Sequence, residues 1–600
     1  MYTCNPLKVP YHYQFNANMH GGDGIEISRE AADPSLILYH GKYYLYPSMN
    51  LSVWVSEDLV NWESYALPNN LPCYDYAPDV CVQNDYVYFC ASKRGEHCDF
   101  YRTKDPINGP YECIEGSFEF WDPHQFVDDD GRVYFYWGCS AIEPIYGVEL
   151  DPQTRQPLCQ PIEMIAGKPI EHGYERVGEN NSTLPLSVEA AEAMLQVMLE
   201  RAGKQGFQMS PSMRRNALGY CSKRPYIEGA WMTKHNGRYY LQYAFSGSQY
   251  NVYGDGVYES NSPLGPFTLA KNNPWSFNPG GFMPGAGHGS TLRDQQGAYW
   301  HTATMRISLN HNFERRVGLW PVGFDADGEM FCNQRYGDWP MNLDKLRTNP
   351  WAEPDWMLLS ANCAATASSF VEGKEPRKAT EENVRTWWRA ATNERNQWLQ
   401  VDLGAVQEVH AVHLNFADDK LDLPLPGELR KELGQPRYIE PVLQRTRWIM
   451  EGSADGVTYE MLEDKSQAET EYAHDLVVLA HAKRLRYVRV TVLELPYDQD
   501  ACISGLRVFG KGHGEAPGAV QAEICRVDGV TFHVEATSVG ATGYNILWGH
   551  REDKLYHSWI VYGDCNWSVP SLIEGECYFV RVDAFNYNGI THGQVMKLET

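Results

Sequence analysis

Over the first 345 residues of the chain, apolar and aromatic positions alternate with polar ones in short runs, each interrupted by a polar turn rich in Gly and Asp or Asn. Leu36-Ile37-Leu38-Tyr39, the turn His40-Gly41 and Lys42-Tyr43-Tyr44-Leu45-Tyr46 form one such phrase. Val127, Asp128-Asp129-Asp130-Gly131 and Val133-Tyr134-Phe135-Tyr136-Trp137 form another. Period-two alternation on both sides of such a turn predicts an antiparallel hairpin. Further phrases fall at Val82 to Cys90, around His235-Asn236-Gly237, from Asp294 to Trp300 and around Phe324-Asp325-Ala326-Asp327-Gly328. Small sheets recurring every few tens of residues predict the blades of a β-propeller. A sandwich would account for the strands but less well for their grouping.

One stretch departs from this rhythm. Ser187 to Arg201 carries Ala190, Ala191, Ala193, Met194, Leu195, Val197, Met198 and Leu199 behind a Ser that suits a helix N-cap. It predicts a helical insertion between blades, spanning about residues 180–220. Near Trp351-Ala352-Glu353-Pro354 the propeller phrases stop. The expected layout is a propeller over 1–345, a β-sandwich over 355–511, a linker at Gly512 to Pro517 and a second sandwich over 516–600. The fold class is therefore all-β. A charge- and Pro-rich insertion from Asp418 to Arg445 is expected to form a loop reaching toward the mouth of the propeller.

Composition supports buried cores, with 43% hydrophobic and 13% aromatic residues. The net charge of −26 argues against nucleic acid or an anionic membrane as partner, since both call for basic patches. The chain opens on Met1-Tyr2-Thr3-Cys4-Asn5-Pro6 with no secretory-signal pattern, and it has no apolar run of about 18 residues. Its 15 cysteines are an odd number without paired spacings, as expected of free thiols in a reducing compartment. Together these features predict a cytoplasmic protein.

Candidate chemistry begins at Tyr226-Ile227-Glu228-Gly229-Ala230-Trp231. A carboxyl group among aromatic and apolar neighbours loses hydration, which raises its pKa and suits it to donate a proton near neutral pH. A single Glu beside a strand is more often a solvated edge or an ion-pair partner. Two further acids in comparable settings change that balance: Asp33 in Ala31-Ala32-Asp33-Pro34-Ser35, and Asp122 in Phe120-Trp121-Asp122-Pro123-His124. Asp-Pro commonly just opens a turn or strand. In a propeller, however, inner strands converge on the axis, so acids at their starts can meet in one pocket.

These phrases, in this order, resemble glycoside hydrolase family 43, and the resemblance covers most of residues 20 to 335. Val53-Trp54-Val55-Ser56-Glu57-Asp58-Leu59-Val60-Asn61-Trp62, Tyr76-Ala77-Pro78-Asp79-Val80, Ser262-Pro263-Leu264-Gly265-Pro266-Phe267 and Gly287-His288-Gly289-Ser290 add to it. The resemblance implies a five-bladed propeller and an inverting glycosidase. Asp33 would act as general base on water, Glu228 as general acid, and Asp122 would orient Glu228 and tune its pKa. Inversion needs the two working carboxyls roughly 6.5 to 9.5 Å apart. His288 would lie near the axis and assist the site, and Arg315, with Arg316 as its neighbour, would contact substrate. Tyr76 and Trp231 are candidates to face a sugar ring, although aromatics this abundant are more often core.

The segment Glu171-His172-Gly173-Tyr174-Glu175-Arg176-Val177-Gly178-Glu179-Asn180-Asn181 lies outside the family pattern, which leaves the sugar open. An exo-acting enzyme releasing α-L-arabinofuranosyl or β-D-xylosyl groups from plant-derived oligosaccharides is the leading expectation. Its alternatives are β-galactosidase-type activity and a non-catalytic carbohydrate-binding propeller. No cofactor is required by that chemistry.

In the second half, Ala361 to Ser369, Thr386-Trp387-Trp388, Gln397 to Gly404, Arg486 to Val490 and Ile503 to Gly510 resemble a discoidin-type sandwich. That resemblance implies sugar binding and a structural calcium ion, or else a rigid buttress for the propeller. Thr380-Glu381-Glu382-Asn383 stands where related calcium loops commonly place an Asp. Gly543 to Gly549 and Tyr578 to Asn586 resemble a fibronectin type III sandwich. The oligomeric state is not legible.

Overall fold

A computed structural model describes residues 1–17, 24–72, 77–93, 97–116, 118–203, 211–430 and 436–599. The alternating phrases of the first part become five antiparallel sheets of four strands each, arranged in chain order. Their first strands are Ala32–Tyr39, Asp79–Gln83, His124–Val127, Glu228–His235 and Gly287–Arg293. Each of these inner strands touches the next, and the fifth touches the first, so the sheets close into a ring. This is a five-bladed β-propeller. Blades stack on both sides of one another, so the period-two pattern buries both faces of a strand; Lys42–Ser48, for example, exposes only its first residue. Aromatic rings fill the gaps between blades, as where Phe100, Phe118, Phe120 and Phe135 meet edge to face.

The N-terminal residues are stitched to the fifth blade. Tyr2–Thr3 pairs with Met341–Asn342, and the Asn5 side chain bonds the backbone of Leu319 and Gly337. The expected helical insertion is a hairpin of two helices, Val188–Gly203 and Pro211–Cys221. Ser187 caps the first through the Ala190 N–H. The second escapes sequence reading because Arg214, Arg215, Asn216 and Gly219 break its apolar period; only its Pro at the first helical position marks it. The hairpin closes through Leu186 N–H to the Ser222 carbonyl at 2.8 Å.

Beyond the propeller, Gln397–Phe416 and His474–Glu494 are long strands at the centre of an eight-stranded sheet system around its own apolar core. A third unit follows, with a three-stranded sheet (Gln521–Arg526, Phe532–Thr537, Cys565–Val569) and a five-stranded one that includes Gly543–Gly549 and Phe579–Asn586. These units do not hang from linkers. Tyr336, Trp339, Trp356, Phe509, Ile560 and Phe585, drawn from all three, form a single apolar cluster.

The segment Glu171 to Asn181 forms a strap between units. Its Gly173 N–H bonds the Leu572 carbonyl, its Glu171 carbonyl accepts from Glu574, and Asn181 accepts from Ser571. On its other side Asn180 exchanges hydrogen bonds with Asn251. The insertion after Asp418 is not simply a loop. Its Arg437–Ile439 joins Tyr13–Ala17 and Ile25–Arg29 in a three-stranded sheet, and Asp418 grips Arg29 at 2.7 and 3.0 Å. It therefore braces the segment that leads into Asp33.

Fully buried Arg507 bridges propeller and second unit: its guanidinium lies 3.0 Å from Asp338 and 2.9 Å from Glu382. Asp338 also accepts from the Phe282 and Met283 N–H groups. Replacing the arginine would leave two carboxylates buried without their cation, a change that typically costs about 3–5 kcal/mol. Arg507→Leu is expected to lower the denaturation midpoint by a loss of this order; a midpoint unchanged from the parent in urea would refute it.

Candidate active site

Each blade begins with the same backbone irregularity. Asp33, Ala77, Asp122, Gly229 and His288 have φ of 45°, 53°, 51°, 60° and 50°, one in each blade at or just ahead of its inner strand. Bulges interrupt the ladders at Ala32/Ser35, Glu228/Trp231 and Gly287/Ser290. A left-handed residue costs roughly 1–2 kcal/mol when it is not Gly, and its N–H leaves the ladder. Here a side chain from the preceding blade accepts that N–H: Ser48 from Ala77 at 2.6 Å, Ser92 from Asp122 at 3.0 Å, Asp255 from His288 at 2.7 Å and Thr304 from Asp33 at 2.8 Å. At the fourth blade the left-handed residue is Gly229, where a Cβ would stand 2.6 Å from the His288 ring. The left-handed residues, three of them with bulges, turn three acids and a histidine into one space.

His288 is the hub. Its Nδ1 lies 3.6 Å from Asp33 and 3.8 Å from Asp122. Asp33 also faces Arg315, whose Nη1 is 3.3 Å from both carboxylate oxygens and whose Nε donates to buried Glu30 at 2.7 Å. Glu228 accepts from the Tyr253 hydroxyl at 2.6 Å on Oε1 and from the Cys139 thiol at 3.2 Å on Oε2. Ligand atoms of Asp122, Cys139 and Glu228 all fall within 4.8 Å of one another.

The electrostatics follow from burial and like charge. Burial pushes the Asp122 carboxyl up to about 8; His288 opposes this, while Glu228 and Asp33 reinforce it. Burial works against the charge on His288, but Asp33, Asp122, Glu228 and Asp255 together outweigh it and raise its pKa. Asp122 and His288 thus act on one another, the imidazolium lowering the carboxyl and the carboxylate raising the imidazole. The Tyr253 phenol and the Cys139 thiol are both raised by burial and then by the nearby carboxylates, so both keep their protons near neutral pH. The site combines carboxyls in unlike surroundings, the arrangement that lets one give a proton while another takes one.

Asp33, Asp122, Glu228, His288 and Arg315 come together here. Between the two neighbouring arginines the geometry is unambiguous, because Arg316 leaves on the other face of the strand toward His474 and the Arg29 carbonyl. Trp231 is not in the cluster. Its ring lies 4.1 Å from the His124 ring, its N–H bonds the Thr291 carbonyl, and it is buried between blades. Tyr76 lies outside the described residues. Tyr253, Cys139, Asp255, Thr304 and Glu30 are partners that sequence reading missed.

In the stretch Thr380 to Asn383 of the second unit both acidic side chains already have cationic partners. Both oxygens of Glu382 are engaged by Arg507, and Glu381 is paired with Arg377 and Lys378. The acidic group Asp325, Asp327 and Glu329 is likewise taken up, by the Lys554 ammonium at 2.7 to 2.9 Å. All fourteen described cysteines are free.

Residues 27–178 and 191–330 match the family model for Glycosyl hydrolases family 43, and residues 364–423 match that for the F5/8 type C domain. Xylosidase/arabinosidase 43A of Humicola insolens is 26% identical over 338 residues, which is 50% of this chain and 95% of that protein. A beta-xylosidase of Xylanibacter ruminicola is 23% identical over 273 residues, 40% of this chain and 77% of that one. A solved structure described as a glycoside hydrolase covers 80% of this chain and 97% of its own at 17% identity, with a TM-score of 0.42.

Folded Asp122 keeps its proton to about pH 8, whereas an unfolded Asp releases it near pH 4. The unfolded chain therefore loses its proton first, and the parent gives up stability progressively as pH rises between those values. Asp122→Asn cannot titrate. Its melting temperature relative to the parent is expected to climb from about pH 4 to about pH 8 and then level off. A difference that stays constant across this range would overturn the assignment.

Proposed function

We propose that this chain, a glycosidase by its glycosyl hydrolase family 43 domain, releases terminal α-L-arabinofuranosyl or β-D-xylosyl groups from plant-derived oligosaccharides with inversion at the anomeric carbon. The observation that carries the reading is the convergence of Asp33, Asp122 and Glu228 around His288, each with different neighbours. Asp33, oriented by Arg315 and by the Thr304 contact to its N–H, takes a proton from the attacking water. Glu228, oriented by Tyr253 and Cys139, gives its proton to the leaving oxygen as the glycosidic bond breaks. Buried Asp122 stands beside Glu228 and orients it. His288 and Arg315 hold the sugar next to Asp33.

The names of the relatives in Humicola insolens and Xylanibacter ruminicola support a pentose. The F5/8 type C domain is read as a buttress, in keeping with its buried ionic bridge to the propeller. The C-terminal unit is read as fibronectin type III-like, which its paired sheets of three and five strands support. The chemistry as proposed is carried by side chains and water and uses no cofactor.

A panel of p-nitrophenyl glycosides tests the sugar, and NMR of the first-formed product tests the stereochemistry. Glu228→Gln and Asp33→Asn are each expected to cut kcat by about a thousandfold with sugar binding retained. A product of retained configuration would sink inversion. No release from any pentoside, nor from arabino- or xylo-oligosaccharides, would sink the pentosidase reading.

A further inference from the structure

The two oxygens of Glu228 have unequal neighbours. Oε1 accepts a short bond from the Tyr253 hydroxyl at 2.6 Å, whereas Oε2 faces the Cys139 sulfur at 3.2 Å. The titratable groups that face this carboxyl come from several blades. Asp122 precedes the third inner strand, Cys139 follows the next strand of that blade, and Tyr253 precedes Gly254–Ser260. His288 comes from the fifth blade, with Asp33 and its Arg315 beyond.

Tyr253 remains a phenol near neutral pH and so donates to Oε1. The proton of a protonated Glu228 then resides on Oε2, beside sulfur. Burial also keeps Cys139 as the thiol, so it brings no negative charge to that oxygen. A thiol is a weak donor and a weak acceptor. A hydroxyl in its place is the stronger donor, and a carboxylate that shifts to meet it is bound more strongly than by the thiol.

We propose that Cys139 is a positioning residue for the acid step: it fixes the plane of the Glu228 carboxyl while leaving the proton on Oε2 available to the leaving oxygen. This rests on the reading of Glu228 as the general acid. In the step concerned, the Oε2 proton moves to the glycosidic oxygen as its bond to the anomeric carbon breaks. Water closes on that carbon, its own proton passes to Asp33, and Glu228 is left as the carboxylate.

The test uses Cys139→Ser and Cys139→Ala in the full chain, with aryl glycosides of the cleaved sugar that differ in leaving group. In Cys139→Ser the stronger hydrogen bond favours the carboxylate. The alkaline limb of kcat/KM for a phenyl glycoside is expected to move down by about half a unit to one unit. A 2,4-dinitrophenyl glycoside departs without protonation, and its kcat/KM is expected to stay within about twofold of the parent. Cys139→Ala, which removes the donor, is expected to move the limb upward.

A readout independent of any sugar accompanies these: the infrared carboxyl band that disappears in Glu228→Gln is expected to titrate at lower pH in Cys139→Ser than in the parent. Equal losses on both leaving groups would reduce Cys139 to a packing role and overturn the proposal. So would an unmoved infrared titration in Cys139→Ser. Full turnover by Glu228→Gln would instead overturn the acid assignment itself, whatever the cysteine variants do.

Discussion

The left-handed residue at the head of each inner strand is the constraint on which the rest of the site depends. Its N–H cannot join the ladder and would be costly to bury unpaired. For four of the five blades the solution is a side-chain oxygen supplied by the blade before, so Ser48, Ser92, Asp255 and Thr304 are contacts between neighbours rather than within a sheet. The Thr304 contact matters most, because it runs from the last blade to the first. Asp33 is held only when the ring has closed, and the bonds of the Asn5 side chain to Leu319 of the fifth blade fasten that closure.

Acids this buried persist because cations and donors are distributed among them. Arg315 spans Glu30 and Asp33, His288 stands between Asp33 and Asp122, and Tyr253 and Cys139 serve Glu228. The balance is uneven: burial first, and then the neighbouring Glu228 and Asp33, push the Asp122 carboxyl up to about 8, so it holds a proton near neutral pH.

Much of this was legible in the sequence, because a propeller writes its blades as repeats and its acids at matching points in them. Asp33, Asp122 and Glu228 could be found by their shared setting, with a carboxyl at the head of an alternating aromatic run. What could not be read depends on direction or distance. Arg315 and Arg316 are equivalent in sequence but lie on opposite faces of one strand. Trp231 sits three residues past Glu228, yet the bulge between them turns it into the gap between blades. Cys139 is 89 residues from the carboxylate it touches, in a stretch with no mark of its own. The second helix of the insertion was hidden by its polar composition, since only packing on its partner makes it stable.

The strap from Glu171 to Asn181 ties the C-terminal unit to Asn251, which lies two residues before Tyr253. The last module is therefore joined to the loop that presents a hydrogen bond to Glu228. Domains of this kind are commonly shuffled between proteins as independent cassettes. Here such an exchange would break the strap's bonds to Leu572, Glu574 and Ser571, and with them the support of the segment that carries Tyr253.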